Sequence, residues 1–322
     1  MGRTLLLTHA DCDGICAGAL ALCAFPGSDM FFTKPVSILD DIRENGHKDY
    51  NRIVICDIAL TKRDANDIIR ELKEIKSKGA ELLYFDHHPL PNGIGKGKLS
   101  FIDTVVHSKK ACASELVYRH FKNQLPMERQ WIAIYGAIGD YMDSTPFIKE
   151  GLLNWDRRTI YFEVSTLVMG IKNDEFGHYD SKRLIAQTLA KGKNPSDIPG
   201  MAQAAKDAVN RELRLYQFVK KNAKAVGKVA YLESIPSFGF RGPTALFAAT
   251  TKNKPVGVCI YKREDHFDVT IRTRDTSLKL GKIAEHAAET VKGSGGGLEG
   301  AAGARIPKNS LQAFLRELNK II

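Results

Sequence analysis

Short runs of apolar and β-branched residues alternate with longer stretches of helical period through the first half of the chain. Thr4-Leu5-Leu6-Leu7-Thr8, Arg52-Ile53-Val54-Ile55-Cys56 and Glu81-Leu82-Leu83-Tyr84-Phe85 have the length and composition of buried strands. Between them, Ile15 to Phe25 is small and apolar, while Thr61 to Lys78 is charged, amphipathic and closed by Gly79. Both predict helices packed against a sheet. Strand, helix, strand in succession predicts parallel strands joined by right-handed crossovers. A helix is expected over Ala111 to Phe121, a further apolar element over Trp131 to Ile138, and mixed helical structure from Gly151 to about Lys193.

The run Asn194-Pro195-Ser196-Asp197-Ile198-Pro199-Gly200 breaks this pattern, and Met201 to Lys224 predicts a long basic helix. Lys220, Lys221 and Lys224 read as its solvated face. Beyond it the character changes. Val229 to Leu232, Val256 to Tyr261 and Phe267 to Arg272 read as strands, Leu280 to Val291 as a helix, and Ser310 to Ile321 as a final helix with an apolar stripe. The fold class expected is α/β: a parallel-sheet domain over 1–193, a linker and connecting helix over 194–225, and a smaller α/β domain over 226–322.

Composition narrows the field. Of 322 residues, 43% are hydrophobic and 26% charged, as in a globular protein. Lys plus Arg number 47 against 37 Asp plus Glu, a formal net charge of +10 that favours a polyanionic partner. The six cysteines contain no Cys-x-x-Cys pair, which argues against a zinc knuckle and for free thiols in a reducing compartment. No stretch approaches the roughly 20 apolar residues of a membrane span, and the apolar N-terminus is too short for a signal peptide. A cytoplasmic location is expected.

The chemistry gathers at strand ends. The first strand runs into His9-Ala10-Asp11-Cys12-Asp13-Gly14, the second into Asp57, the third into Asp86-His87-His88-Pro89, and the apolar element at 131–138 into Gly139-Asp140. Carboxyl ends of parallel strands open into the crevice where ligands bind. Asp11 and Asp13 alternate, so extended backbone would point both one way. His9, Asp11, Asp13, Asp57, Asp86, His87, His88 and Asp140 form a set of carboxylates and imidazoles without a thiolate, which suits Mn2+ ahead of Mg2+ or Zn2+. That exceeds the needs of one ion. Two ions roughly 3.5–4 Å apart, bridged by an Asp, would use the set and suit in-line hydrolysis of a phosphate ester.

These four segments resemble, in order, the motifs of the DHH phosphoesterase family. Gly295-Gly296-Gly297 with Ala301-Ala302-Gly303 is similar to the glycine-rich loop of the DHH-associated, nucleic-acid-binding domain that often follows it. The likeness covers nearly the whole chain, and within the family it is strongest to RecJ-type exonucleases and nano-RNases, including archaeal relatives. It implies a two-Mn2+ active site in a cleft between the two domains, with Mg2+ as a substitute, in which Asp11, Asp13, Asp57, His87 and Asp140 are ligands and Asp57 is the bridge. It adds His9 as a further ligand, Asp86 as a ligand or as the group that orients its neighbours, and His88 facing the substrate phosphate. Asp57, His87 and His88 would be the catalytic residues. Asp143, close to Asp140, is read as supporting the site.

For the second domain, a triple glycine lets backbone N–H groups approach a phosphate. Leu298 stands where the family commonly has histidine, so that hydrogen bond is absent or supplied elsewhere. Arg272 and Arg274, two apart, would contact the bound strand together with Gly295, Gly296, Gly297, Ala301, Ala302 and Gly303; Ser108, Lys109 and Lys110 are further phosphate candidates. The function expected is exonucleolytic hydrolysis of single-stranded RNA or short oligonucleotides to nucleoside monophosphates. Three alternatives stand beside it: a RecJ-like single-strand DNA exonuclease, a cyclic dinucleotide phosphodiesterase, and a non-catalytic nucleic-acid-binding scaffold. A homodimer and replication or repair proteins are the expected protein partners.

Overall fold

The computed structural model describes residues 2–233 and 239–322. The chain divides into two compact units, Met1–Lys206 and Asp207–Ile322. In the first, β1 (Thr4–Thr8), β2 (Asp29–Phe32), β3 (Arg52–Cys56), β4 (Glu81–Asp86) and β5 (Thr104–His107) form one sheet of order β2-β1-β3-β4-β5. Every adjacent pair is parallel. The three strands expected from the sequence are present. β2 and β5 were not foreseen, because each has only four residues and lies at a sheet edge, where the apolar pattern is short and half-exposed.

The side-chain period of two divides the core. Leu6, Val54, Leu83 and Phe85 face α1 (Cys12–Ala24), α3 (Ala113–Phe121) and α4 (Gln130–Gly139), whereas Leu5, Leu7, Ile53, Ile55, Leu82 and Tyr84 face α2 (Ala65–Ser77). Fully burying such a Leu or Ile contributes roughly 1.5–3 kcal/mol. Two apolar faces therefore hold the strands firmly while their carboxyl ends carry polar groups. Helices α5 (Arg157–Gly170) and α6 (Tyr179–Ala190) complete the layer on the α1 side, and α7 (Met201–Asn222) spans the point in the chain where the two units divide.

One expectation changes here and one open element is assigned. Asp13 is not in extended backbone: α1 begins at Cys12, so Asp11 is its N-cap and Asp13 lies in its first turn. The apolar element at 131–138 lies in α4, so Asp140 arrives at a helix C-terminus. Among the described residues, no helix is long and apolar enough to cross a membrane.

The second unit holds β6 (Lys224–Val226), β7 (Val229–Glu233), β8 (Val256–Lys262), β9 (His266–Thr273), β10 (Ser294–Gly297) and β11 (Ala301–Pro307) in the order β10-β11-β9-β8-β7-β6. Only β7 and β8 pair in parallel, with α8 (Arg241–Thr251), unforeseen from the sequence, between them in the chain. α9 (Leu280–Glu289) and α10 (Leu311–Ile321) bury Val258, Ile260, Val269 and Ile271 on one sheet face. The glycine-rich stretch is not a loop. It forms the antiparallel pair β10–β11, with Gly295 opposite Ala304, Gly296 opposite Gly303 and Gly297 opposite Ala302.

Candidate metal centre

The turn after β1 is closed by its own polar groups. Thr8 Oγ1 donates to the Gly14 carbonyl at 2.7 Å, and Gly14 N donates to Asp11 Oδ1 at 3.0 Å, an N-cap bond for α1. A Cβ on Gly14 would lie 2.2 Å from the His9 carbonyl oxygen, so only glycine lets the turn fold this tightly. His9 Nδ1 then sits 2.8 Å from Asp11 Oδ2 and 3.7 Å from Asp57 Oδ2. Asp13, buried, accepts from Ala113 N at 2.7 Å and Ser114 N at 3.0 Å. Its negative charge thus meets the exposed N–H groups and positive pole of α3.

Asp57 follows β3 with φ of 57°, in the left-handed region that non-glycine residues seldom occupy. It is buried, and its Oδ2 has no hydrogen-bond partner. Asp140 caps α4 through its N–H to the Gly136 carbonyl at 2.9 Å, and its own Oδ2 is likewise buried and unpartnered. His87 Nε2 lies between them, 3.3 Å from Asp57 Oδ1 and 3.6 Å from Asp140 Oδ2.

Asp86 is turned another way. It lies 2.9 Å from His88 Nδ1 and accepts from the His88 N–H at 3.2 Å, with the Tyr84 hydroxyl 3.0 Å from its Oδ2. Of the two roles open to it, the geometry is that of a group orienting His88. His107 Nε2 fixes the same residue by donating to the His88 carbonyl at 2.7 Å. Asp143 has no described contact with the cluster. Ser108, Lys109 and Lys110 follow β5, with Ser108 N bonded to the Asp86 carbonyl and its Oγ accepting from Lys110 N.

Ligand atoms of His9, Asp11 and Asp57 lie within 4.8 Å of one another, as do those of Asp57, His87 and His88, and those of Asp13, His87 and Asp140. Asp57 and His87 each belong to two of these groups. Burial, reinforced by Asp11, Asp13, Asp86 and Asp140, pushes the Asp57 carboxyl well above the usual carboxylate range. Burial, with Asp13 and Asp11, raises Asp140 to about 8. Burial opposes ionisation of Asp11, yet the charge and hydrogen bond of His9 outweigh it and hold that carboxyl low. Asp11 in turn raises His9. His88 is raised despite burial, through its bond to Asp86, while burial and the charge of His88 lower His87.

The chemistry of this set fits divalent cations. Buried carboxylates that disfavour each other's ionisation, two with an unpartnered oxygen, lack only positive charge. Oxygen and imidazole donors without thiolate match hard to borderline ions. Burial keeps the neighbouring Cys16, Cys56 and Cys112 thiols protonated by raising them. A separate group, His47, Glu71 and Glu74, is already neutralised, since Arg43 reaches Glu71 at 3.0 Å and Lys78 reaches Glu74 at 2.8 Å.

One neighbour escaped the sequence analysis. Lys182 Nζ, on α6, donates to the Ala10 carbonyl at 2.6 Å. Its segment showed only packing, and no local signal in 179–190 marks the lysine that reaches the turn after β1.

In the second unit the glycines divide by what surrounds them. A Cβ on Gly295 would meet the Ala284 carbonyl at 2.4 Å, and Gly297, at φ of 145°, abuts the Ala301 carbonyl. Gly296 has open space beside it, and its partner Gly303 meets only the Val269 carbonyl at 3.5 Å. Ala301, Ala302 and Gly303 pair with Arg272, Ile271 and Thr270 of β9. Arg272 donates to the Ile271 carbonyl at 3.0 Å and the Ala302 carbonyl at 3.5 Å. Arg274 lies one residue past the end of β9 and is exposed.

A five-stranded parallel sheet with carboxylates and histidines at its carboxyl edge, followed by a second mixed sheet, is the architecture of a two-domain phosphoesterase. Residues 3–139 match the DHH family, N-terminal domain, and residues 242–322 match the DHHA1 domain. The chain carries the DHH family's N-terminal domain followed by a DHHA1 domain, the make-up of a DHH-family phosphoesterase. No curated protein matches the sequence.

Among solved structures, the fold is similar to a DHH-domain protein described as a member of a family of ribosomal proteins (TM-score 0.69, 14% identity, covering 99% of this chain and 87% of that one). It is also similar to RecJ from Thermus thermophilus in complex with Mn2+ (0.68, 16%, 99% of this chain). This chain spans only about half of that RecJ, 52%. A third is the pGpG-specific phosphodiesterase from Vibrio cholerae (0.57, 14%), where each chain covers 100% of the other.

Proposed function

We propose that the protein is a Mn2+-dependent phosphodiesterase that removes nucleotides from one end of single-stranded RNA or short oligonucleotides, releasing nucleoside monophosphates. The observation that carries this reading is Asp57: buried, in a left-handed conformation, shared by two ligand groups and with one oxygen unpartnered. It has the position of a bridging carboxylate. Two ions would be held by His9, Asp11, Asp13, Asp57, His87 and Asp140, and when bound they supply Lewis-acid stabilisation of phosphate oxygens and lower the pKa of water.

The chain's own groups do the rest. Asp86 keeps the proton of His88 on Nδ1 and the ring in one orientation, so that a protonated His88 donates from Nε2 to a phosphate oxygen. His107 and Tyr84 brace that pair. The net charge of +10 draws a polyanionic substrate.

The likeness to the exonuclease RecJ supports end-wise cleavage, and the same reaction on single-stranded DNA is the alternative beside it. A second reading, hydrolysis of dinucleotides, is favoured by the end-to-end match with the pGpG-specific enzyme. A time course with 5′-labelled RNA and DNA of matched sequence, in lengths from two nucleotides upward and with Mn2+ or chelator, tests all three. Metal-dependent loss of RNA ahead of DNA supports the main reading. Loss of DNA ahead of RNA favours the DNA-directed reading, turnover confined to dinucleotides favours the second, and no cleavage of any strand overturns all three and leaves a cyclic dinucleotide phosphodiesterase or a nucleic-acid-binding scaffold.

A further inference from the structure

We propose that Lys182 is a positioning residue for the metal centre, its ammonium group holding the His9–Asp11 turn in the shape that delivers both ligands. The inference rests on the reading that these residues hold divalent ions. Ala10 is the residue between the two ligands, and its carbonyl accepts from Lys182 Nζ at 2.6 Å. The other described hydrogen bonds of 9–11 run to nearby Gly14 and Ile15 and between His9 and Asp11, with Asp57 a further partner of Asp11. Lys182 comes from 172 residues further along the chain. It therefore ties the turn to a separate helix. That helix is itself anchored, since α6 packs on α1 and its Tyr179 ring lies 5.6 Å from Phe32 of β2.

Charge alone argues for the opposite of a useful contact. A half-buried ammonium beside a cation site repels the cations it faces; burial disfavours the Lys182 charge, Asp11 partly offsets that, and Lys34, after β2, adds to it. Were Lys182 merely a nearby charge, removing it would tighten metal binding. If it positions the turn, removing it loosens metal binding. The sign of the change separates the two roles.

Titration calorimetry of Mn2+ into the chelator-treated full chain reads that sign directly. Lys182→Met keeps the apolar stem and loses the donor; its Mn2+ affinity should fall about 10-fold or more, as for other groups that orient metal ligands. Lys182→Arg restores a donor and should return affinity to within about threefold of wild type. Lys34→Met removes the neighbouring charge without touching the turn and should bind Mn2+ as tightly as wild type or more so. A Lys182→Met protein that is folded by near-UV circular dichroism and binds Mn2+ as well as wild type overturns the inference. If that variant does not fold, Lys182→Gln, too short to reach Ala10, is read by the same two outcomes. A wild-type chain that takes up no Mn2+ overturns instead the metal reading beneath it.

Discussion

Single residues at this site are held against their own preferences, and Asp57 is the clearest case. A buried carboxylate facing Asp11, Asp13, Asp86 and Asp140 costs stability until cations arrive. Asp57→Asn keeps the shape and removes the charge. Turnover should drop by at least about a thousandfold, as expected when a bridging ligand loses its charge, while the melting temperature in chelator at pH 8 should rise. A variant that turns over normally would exclude Asp57 as a bridge. Asp140 gives the pH dependence. Folding raises its carboxyl from 3.8 to about 8, so its contribution is fully present below about pH 4 and is lost as pH rises through 8. Asp57, His9 and His88, also raised, act in the same sense. The lowered His87 acts oppositely only near and below its ordinary value of 6.5. In chelator the melting temperature should therefore fall between about pH 6.5 and 8, and saturating Mn2+ should reverse the fall because ions bind the ionised form. A chelated protein whose melting temperature rises across that interval contradicts the assignment. The ligand types were legible in the sequence, because carboxylates and imidazoles following apolar runs are visible as letters. The left-handed backbone of Asp57 was not, since Cys56-Asp57-Ile58 reads the same with either sign of φ.

At the scale of elements, the site is made by close approach. Helix α4 lies against α1 and α3 because Gly136 and Gly139 carry no side chain: a Cβ on Gly136 would sit 2.1 Å from Ser114 Oγ and 2.7 Å from Asp13 Oδ1, and one on Gly139 would sit 2.4 Å from Cys12 Sγ. Gly136→Ala should displace Asp13 from the N-terminus of α3, lowering stability by about 1–3 kcal/mol and weakening Mn2+ binding. Chemical denaturation with and without Mn2+ checks both effects, and a wild-type response would show that the helices can part without cost. The sequence displayed both glycines, but in a run of small apolar residues the period does not distinguish a strand from a helix. Hence the type of the element that delivers Asp140 stayed open. The second unit repeats the lesson, because the triple glycine reads as one phosphate-binding feature while its members differ. Gly295→Ser, facing the Ala284 carbonyl, should lower the melting temperature, whereas Gly296→Ser, beside open space, should leave it unchanged and weaken only oligonucleotide binding. Equal losses of stability would make the whole triplet a packing feature.

For the whole molecule, the parallel sheet, the order of the motifs and the change of character in the last third were all legible, since each is carried by long runs or repeated spacing. The edge strands β2 and β5 and the hairpin β10–β11 were not, because four-residue strands and glycine-rich segments carry little periodicity. What separates a strand-degrading enzyme from a dinucleotide hydrolase is also a property of the whole chain, namely how many phosphates it holds at once. Each phosphate neutralised by a Lys or Arg adds about 0.7 to the slope of log affinity against log salt for a single strand. A dinucleotide offers too few phosphates for a steep slope. If the net charge of +10 serves strand binding, the slope for RNA binding in chelator should steepen as the strand grows from two to about six nucleotides. Arg274→Gln, at an exposed position past β9, should then reduce it by about 0.7 for the longer strands only. A slope that is shallow and equal for both lengths would mean that the basic surface does not track a strand, and the dinucleotide reading would become the stronger one.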